Sequence, residues 1–389
     1  MPGAEEGGTG MRRIAPFIAA ALALAIPATA GARTIHVGPG GSIQAAVDRA
    51  HGGDTIVVAP GTYRETGRRC PTEPSHRCAV VVKKSHLRLV ARPSRRRAVV
   101  LRARSGQEDG IAVGKSHDPT CLTKRSKRVH GFLVKGFTVR GFAGDGVLLF
   151  CVDHYRVTRV RAVDNREYGI FPSHSVSGRV DHSLARGAND TGIYVGQSRI
   201  GRMDHNRSVD NVSGYEIENS SQVRADHNVA TGNTGGILSF ALPGLDVKAN
   251  SSNRIDHNRV RANNRRNTCL EPEDEVCKVP PGTGILVLSA DRNRVEANRV
   301  ERNRSFGIAV ANYCVVLGLT PAQCAALDID PNPDFNRIAF NRALHNGFDA
   351  DPSVPAPFRV DLVWDGTGTG NCWSGNVAGT IFPPSLPAC

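Results

Sequence analysis

A short pattern returns every 22 or 23 residues, and that period constrains the fold more than any other feature of the chain. Gly146, Gly169, Gly192, Gly214 and Gly236 each open an apolar run: GVLLF, GIFPS, GIYVG, GYEIE and GILSF. The run returns at Gly284 and Gly307 as GILVL and GIAVA. A fixed period in the twenties belongs to a solenoid. Each unit holds short alternating runs rich in Val and Ile, broken by Asn, Asp and Gly, with no helical periodicity. Leucine-rich repeats would carry a Leu-rich consensus, and propeller blades need about 40 residues each. The unit therefore predicts one rung of a parallel β-helix, an all-β fold.

The rest of the rung aligns in columns. Arg156, Arg179, Arg202, Arg224, Arg254, Arg294 and Arg337 form one column. Asp181, Asp204, Asp226, Asp256 and Glu296 stand two positions after members of it, followed by His182, His205, His227 and His257. Asn206, Asn228, Asn258, Asn298 and Asn341 come next, and Asn165, Asn211, Asn233, Asn263, Asn303 and Asn346 form a second Asn column. Asn tolerates left-handed backbone and bonds its own turn, so these columns predict the corners of the rung. Stacked Asn side chains are expected to bond from rung to rung.

Met11-Arg12-Arg13, the apolar stretch from Ile14 to Ile26 and the small pair Ala28 and Ala30 read as a secretory signal peptide over residues 1–30, with Met11 a candidate initiator. The apolar stretch is too short to span a bilayer, and no other long apolar run exists. A protein outside the cytoplasm, extracellular or in the cell envelope, is expected. Ten cysteines suit that compartment. Their spacing suggests local staples: Cys70 with Cys78, Cys269 with Cys277, Cys314 with Cys324 and Cys372 with Cys389. Cys121 and Cys151 remain as a longer-range pair. A zinc site is the competing reading, and it lacks any C-x-x-C spacing.

Residues 33–389 carry no linker-like stretch and read as one domain, because a solenoid grows along its axis without enlarging its core. About ten rungs at roughly 4.8 Å each give a rod of about 50 Å. Ser42 to Ala50 reads as a short amphipathic helix, with Ser42 as N-cap, covering the open N-terminal end. The Gly- and Pro-rich tail from about residue 364 is expected to fold back over the other end. Insertions at Lys115–Arg128, Arg265–Gly282 and Tyr313–Phe335 flank the Gly runs on both sides and predict a walled groove over that sheet. The net charge of +13 allows an acidic polysaccharide as partner. Nucleic acid is not expected, since aromatics are only 5% of the chain and form no basic-aromatic platform.

Alternation along a strand places Ile193 and Val195 inward and Tyr194 outward; the same rule turns Glu216 and Glu218 outward. Two carboxylates at that spacing lie roughly 6.5–7 Å apart, the low end of the separation in inverting glycosidases. Aromatic neighbours can stack on sugars and raise a carboxyl pKa by desolvation. The candidate catalytic residues are Glu216, Glu218, His174 and Tyr194. The candidate substrate-binding residues are Tyr168, Phe171, Asp190, Gln197, Asn219 and Phe240. The competing reading is a surface Glu pair balanced by nearby Arg. No metal ligand is assigned: the His column reads as repeat geometry, in which the rings would lie parallel rather than converge.

Several stretches match known proteins. SIQAAVDRAHGGDTIVVAPGTYRE resembles the start of many secreted proteins of the pectin-lyase-like superfamily. YGIFP, DTGIYVGQS, GYEIENS, NTGGILSFALPGL, VPPGTGILVL and the ending GNCWSGN with PAC resemble a family of secreted right-handed parallel β-helix repeat proteins. The resemblance covers nearly all of residues 33–389 and implies a right-handed β-helix. The wider superfamily includes pectate lyases, polygalacturonases, alginate epimerases and a periplasmic copper-associated group. Tyr168 to His174 is similar to the Tyr-Gly-Phe-Asp-Pro-His pattern of the epimerases but lacks its Asp. The resulting expectation is a monomeric protein that binds an extracellular polysaccharide, with cleavage left open: if it is an enzyme, it is a hydrolase through Glu216 and Glu218 or a lyase through His174 or Tyr194. No cofactor is expected for the hydrolase; calcium belongs to the lyase reading. The alternatives are a non-catalytic envelope or adhesion protein and, more remotely, a copper-handling module. With only three Met, two of them at the N-terminus, the copper reading is disfavoured.

Overall fold

The computed structural model describes residues 31–94 and 96–389. The expected signal peptide lies outside them. Among the described residues the strands stack into three long sheets of 12, 11 and 12 strands, nearly all parallel. This is the expected right-handed β-helix, one or two rungs longer than the repeat count suggests. The Gly runs form one sheet, the Arg-x-Asp segments a second, and the short segments after the first Asn column a third. Register is exact across rungs: Ile170 pairs with Ile193, Ile193 with Tyr215, and Tyr215 with Ile237. These inward positions are fully buried and belong to one continuous core. Where the chain passes close to its neighbour only Gly fits: a Cβ on Gly169 would stand 2.4 Å from the Gly192 carbonyl oxygen.

The corners are built as expected in their hydrogen bonds and differently in their backbone. Asn206, Asn228, Asn258 and Asn298 each donate a backbone N–H to the side-chain oxygen of the Asn one rung on, at 2.9–3.0 Å. The left-handed residue, however, is the one before each Asn: His205, His227, His257 and Ala297 have φ of 54–56°. The Asn side chain satisfies the turn's backbone while its neighbour takes the strained dihedral. A third Asn column, Asn253, Asn293, Asn336 and Asn371, works the same way and was not foreseen. Its signal was the recurring Asn-Arg pair at three of these positions.

Both ends are covered. Ile43–Arg49 is the N-terminal helix, and Ser42 Oγ accepts the Ala45 N–H at 3.0 Å. The C-terminal tail departs from expectation. Cys372–Ser374, Val377–Ala378 and Ile381–Phe382 pair in register with the three sheets, so the tail adds a rung. Only the last residues turn back, where Trp373 N–H donates to the Pro387 carbonyl and the Cys372–Cys389 disulfide closes the end. The remaining cysteines pair as 70–78, 121–151, 269–277 and 314–324. Among the described residues, no helix is long and apolar enough to cross a membrane.

Candidate functional site

The outward face of the Gly-run sheet carries a cleft of about 400 Å³. Leu148, Phe171, Tyr194, Glu216 and Leu238 follow one another on successive rungs in one outward row. Glu218 and Phe240 belong to the next row, beside Gly196. The rings of Phe171 and Tyr194 stack at 4.4 Å and 11°, and Tyr168 packs on Phe171 at 4.4 Å. Tyr194 lies along its own strand, so that a Cβ on Gly196 would fall 1.7 Å from its hydroxyl. That glycine lets the hydroxyl reach toward Glu218, its lateral neighbour.

Two insertions wall the cleft. On one side stand Glu273 to Glu275 and Val279, from the loop closed by Cys269–Cys277. On the other stand Leu242, Val316 and Leu317. The Tyr313 hydroxyl donates to Glu275 Oε1 at 3.2 Å and ties the two walls together. The sequence foretold the walls but not the acidic lining, although the run Glu273-Asp274-Glu275 is conspicuous in so basic a chain. It also missed the insertion from Leu242 to Asn250, which forms a strap beside the cleft.

Three carboxyls on the sheet side of the cleft, Glu216, Glu218 and Asp190, are hard to ionise. Burial pushes Glu216, only 3% exposed, up to about 7, with the Glu218 charge adding to the effect. Burial and then Asp190 push Glu218 up to about 8. Burial and Glu216 raise Asp190 well above the carboxylate range. Burial first, and then the neighbouring carboxyls, raise the Tyr168 and Tyr194 hydroxyls. A cleft whose carboxyls hold protons near neutrality can donate and accept them in a reaction.

The candidate residues fall into two groups. Tyr168, Asp190, Glu216, Glu218 and Phe240 line the cleft, with Phe171 and Tyr194 stacked beside them. His174, Gln197 and Asn219 instead hold the strap. His174 is 2% exposed; its Nε2 lies 3.0 Å from Asp246 and its Nδ1 2.8 Å from the Ser173 hydroxyl. Burial lowers its pKa. Gln197 Oε1 accepts the Asp246 N–H, while Asn219 accepts the Leu242 N–H and donates to the Leu242 carbonyl, each at 2.8–2.9 Å. Their polar atoms are engaged in positioning a loop, which alternation along the strand cannot reveal.

Residues 129–376 match the family model described as periplasmic copper-binding protein (NosD). No curated protein sequence matches. The A-module of Azotobacter vinelandii mannuronan C-5 epimerase AlgE4 is similar in structure, with TM-score 0.57 and 14% identity over 89% of this chain and 94% of that one. The AlgE6 A-module gives 0.58 and 16% over 88% and 95%. A tailspike protein of E. coli bacteriophage HK620, in complex with a pentasaccharide, gives 0.58 and 10% over 87% of this chain and 60% of its own. At these identities the likeness carries the fold alone.

Proposed function

Because the chain belongs to the periplasmic copper-binding protein (NosD) family of parallel β-helix proteins, whose name offers copper and whose fold offers a sugar groove, we propose that its cleft binds a polysaccharide outside the cytoplasm and hydrolyses it. The observation that carries this reading is the pair Glu216 and Glu218, raised to about 7 and about 8 at the wall of an aromatic-lined cleft. The carboxyl of the pair that keeps its proton serves as the acid that protonates the leaving oxygen, and the one that ionises serves as the base that activates water. Their strand spacing, roughly 6.5–7 Å, leaves room for that water. Tyr168, Phe171 and Phe240 offer apolar faces to sugar rings. Glu273, Asp274 and Glu275 on one wall outnumber Lys278, which pairs with Glu275, so the cleft disfavours a polyanion and suits a neutral polymer.

Copper fits the described residues poorly. All ten cysteines are in disulfides, and Met203 is fully buried in the core. The rings of His182, His205, His227 and His257 stack at 5.0–5.1 Å and within 3–5° of parallel. Lone pairs in parallel planes run side by side and do not converge on one ion. Among the described residues, the one group of three ligating side chains close enough to share a metal is Cys70, Cys78 and Asp109, and its two sulfurs are bonded to each other.

The test is to incubate the purified protein with neutral polysaccharides and follow reducing ends together with ultraviolet absorbance of unsaturated products. Reducing ends without unsaturation, lost by about 100-fold or more in Glu218→Gln and Glu216→Gln, are expected. Unsaturated products, or activity indifferent to both substitutions, would reject the hydrolase.

A further inference from the structure

The cleft does not use the basic charge of the chain; that charge meets solvent elsewhere, on the third sheet. Its outward side chains stand in two rows. One row reads Arg161, Leu184, Arg207 on successive rungs, and the other reads Val163, Arg186, Val209. Arginine therefore alternates between the rows, one per rung, each beside an aliphatic side chain. Successive cations are offset by one rung, roughly 4.8 Å, along the axis and by two residues across it, so that they lie about 8 Å apart. They face a groove of about 890 Å³. The stacked rings of His182, His205 and His227 form its lip. Each Nδ1 is engaged by the preceding Asp at 2.8–2.9 Å, which leaves Nε2 for solvent or a ligand.

The neighbouring Arg column is already neutralised. Arg156, Arg179, Arg202 and Arg224 each grip the Asp of the next rung through two nitrogens, at 2.7–3.1 Å. Arg161 and Arg207 are exposed and have no ion pair among the described residues. Arg186 reaches Asp164 only at 3.8 Å. Asp210 is the carboxylate among the groove's lining residues. The groove is thus a row of guanidinium groups without matching anions, interleaved with apolar patches.

We propose that this groove is a second polymer site, separate from the cleft, which takes a linear polyuronate lying along the helix axis. A polyuronate carries one carboxylate per sugar, a repeat on the same length scale as one rung. Guanidinium pairs with carboxylate through two parallel hydrogen bonds. Leu184, Val209 and the imidazole edges lie against the sugar rings between the charges. The protein then holds to an acidic matrix on one face while the cleft faces another polymer.

The probe is a polygalacturonate oligomer, with binding to the purified protein measured by calorimetry at low and physiological salt. The unsubstituted protein is expected to bind it, more weakly as salt rises. Arg161→Gln with Arg207→Gln should weaken binding several-fold, and Arg161→Glu with Arg207→Glu tenfold or more. Melting temperatures should be unchanged, because both side chains are exposed. No binding by the unsubstituted protein, or affinity untouched by either pair, would overturn the proposal. So would affinity lost only together with melting temperature, or polyphosphate, a polyanion without sugar rings, binding as tightly as the oligomer.

Discussion

Glu216 should be a liability to stability, and replacing it should make the protein more stable only where the carboxyl is forced to ionise. Its ordinary value is 4.5 and its folded value about 7. Below pH 4.5 the group is protonated in both states and costs nothing. Between pH 4.5 and about 7 the unfolded chain releases the proton and the folded chain keeps it, so stability falls as pH rises. Above that window the full difference, about 3 kcal/mol, has been lost. Glutamine has nearly the shape of the protonated acid and never ionises. Glu216→Gln should therefore melt like the unsubstituted protein at pH 4 and higher at pH 9. With about 2.1 cal/mol/K of unfolding entropy per residue over a chain of this length, the gain is about 4 °C. Thermal unfolding followed by circular dichroism at both pH values measures it. A variant that melts lower at pH 9, or gains equally at pH 4, would show that Glu216 is not held against its ionisation. The whole account of the cleft chemistry would then lose its footing.

Three further outcomes follow from the scaffold. Asn258 accepts from Asn228 N–H and Nδ2 at 2.9 and 3.1 Å and donates to the Ala225 carbonyl and Asn298 at 2.8 and 3.0 Å. Asn258→Ala strands buried partners and should cost about 2–4 kcal/mol in urea unfolding; a neutral substitution would deny the ladder its energetic role. Burial raises Asp226, yet hydrogen bonds from Arg202 and His227 outweigh it and hold the carboxyl at about 2. That stabilisation is present above its ordinary 3.8 and lost as pH falls through 2, so Asp226→Asn should cost about 1–2 kcal/mol at pH 7, discounted for the exposed Arg202, and progressively less in acid. The Cys121–Cys151 bond spans 30 residues, and replacing both by Ser should cost about 3–4 kcal/mol, read as a denaturation midpoint below that of the unsubstituted protein, a difference that disappears when both proteins are fully reduced.

What the sequence could reveal was whatever repeats. A strand's alternation has period two and each rung copies the last, so placing Ile193 inward settled which way Glu216 and Glu218 face. The Arg–Asp pairing and the Asn ladders were legible for the same reason. The backbone at the corners was not, because the identity of the left-handed residue varies from His205 to Ala297 to Phe340 while the Asn after it stays constant. The strap was hidden for a different reason. Leu242 to Asn250 occurs once, and its hold on His174, Gln197 and Asn219 depends on where an irregular loop returns to the sheet. These three polar residues at strand ends look like site residues in sequence, and their hydrogen bonds make them anchors.

The same contrast explains how one chain keeps two opposite surfaces. Regular strands present their outward positions in register from rung to rung, and on the third sheet the Arg alternation runs along the axis from Arg140 to Arg207, ending at Val229 and Thr231; a stretch of that kind suits a short run of a linear polymer. A catalytic cleft needs a break in that symmetry. The chain supplies it by inserting Glu273 to Glu275 and Tyr313 to Leu317 between rungs, at strand ends where extra residues leave the core register untouched. Burial and the neighbouring Glu218 raise the pKa of Glu216, and the inserted Glu273 to Glu275 add acidic groups to the wall above it. The exposed arginines stand on another sheet, alternating between two rows. A protein with an acidic wall over its cleft and unpaired arginines along a separate groove can hold an acidic polymer without drawing it into the cleft.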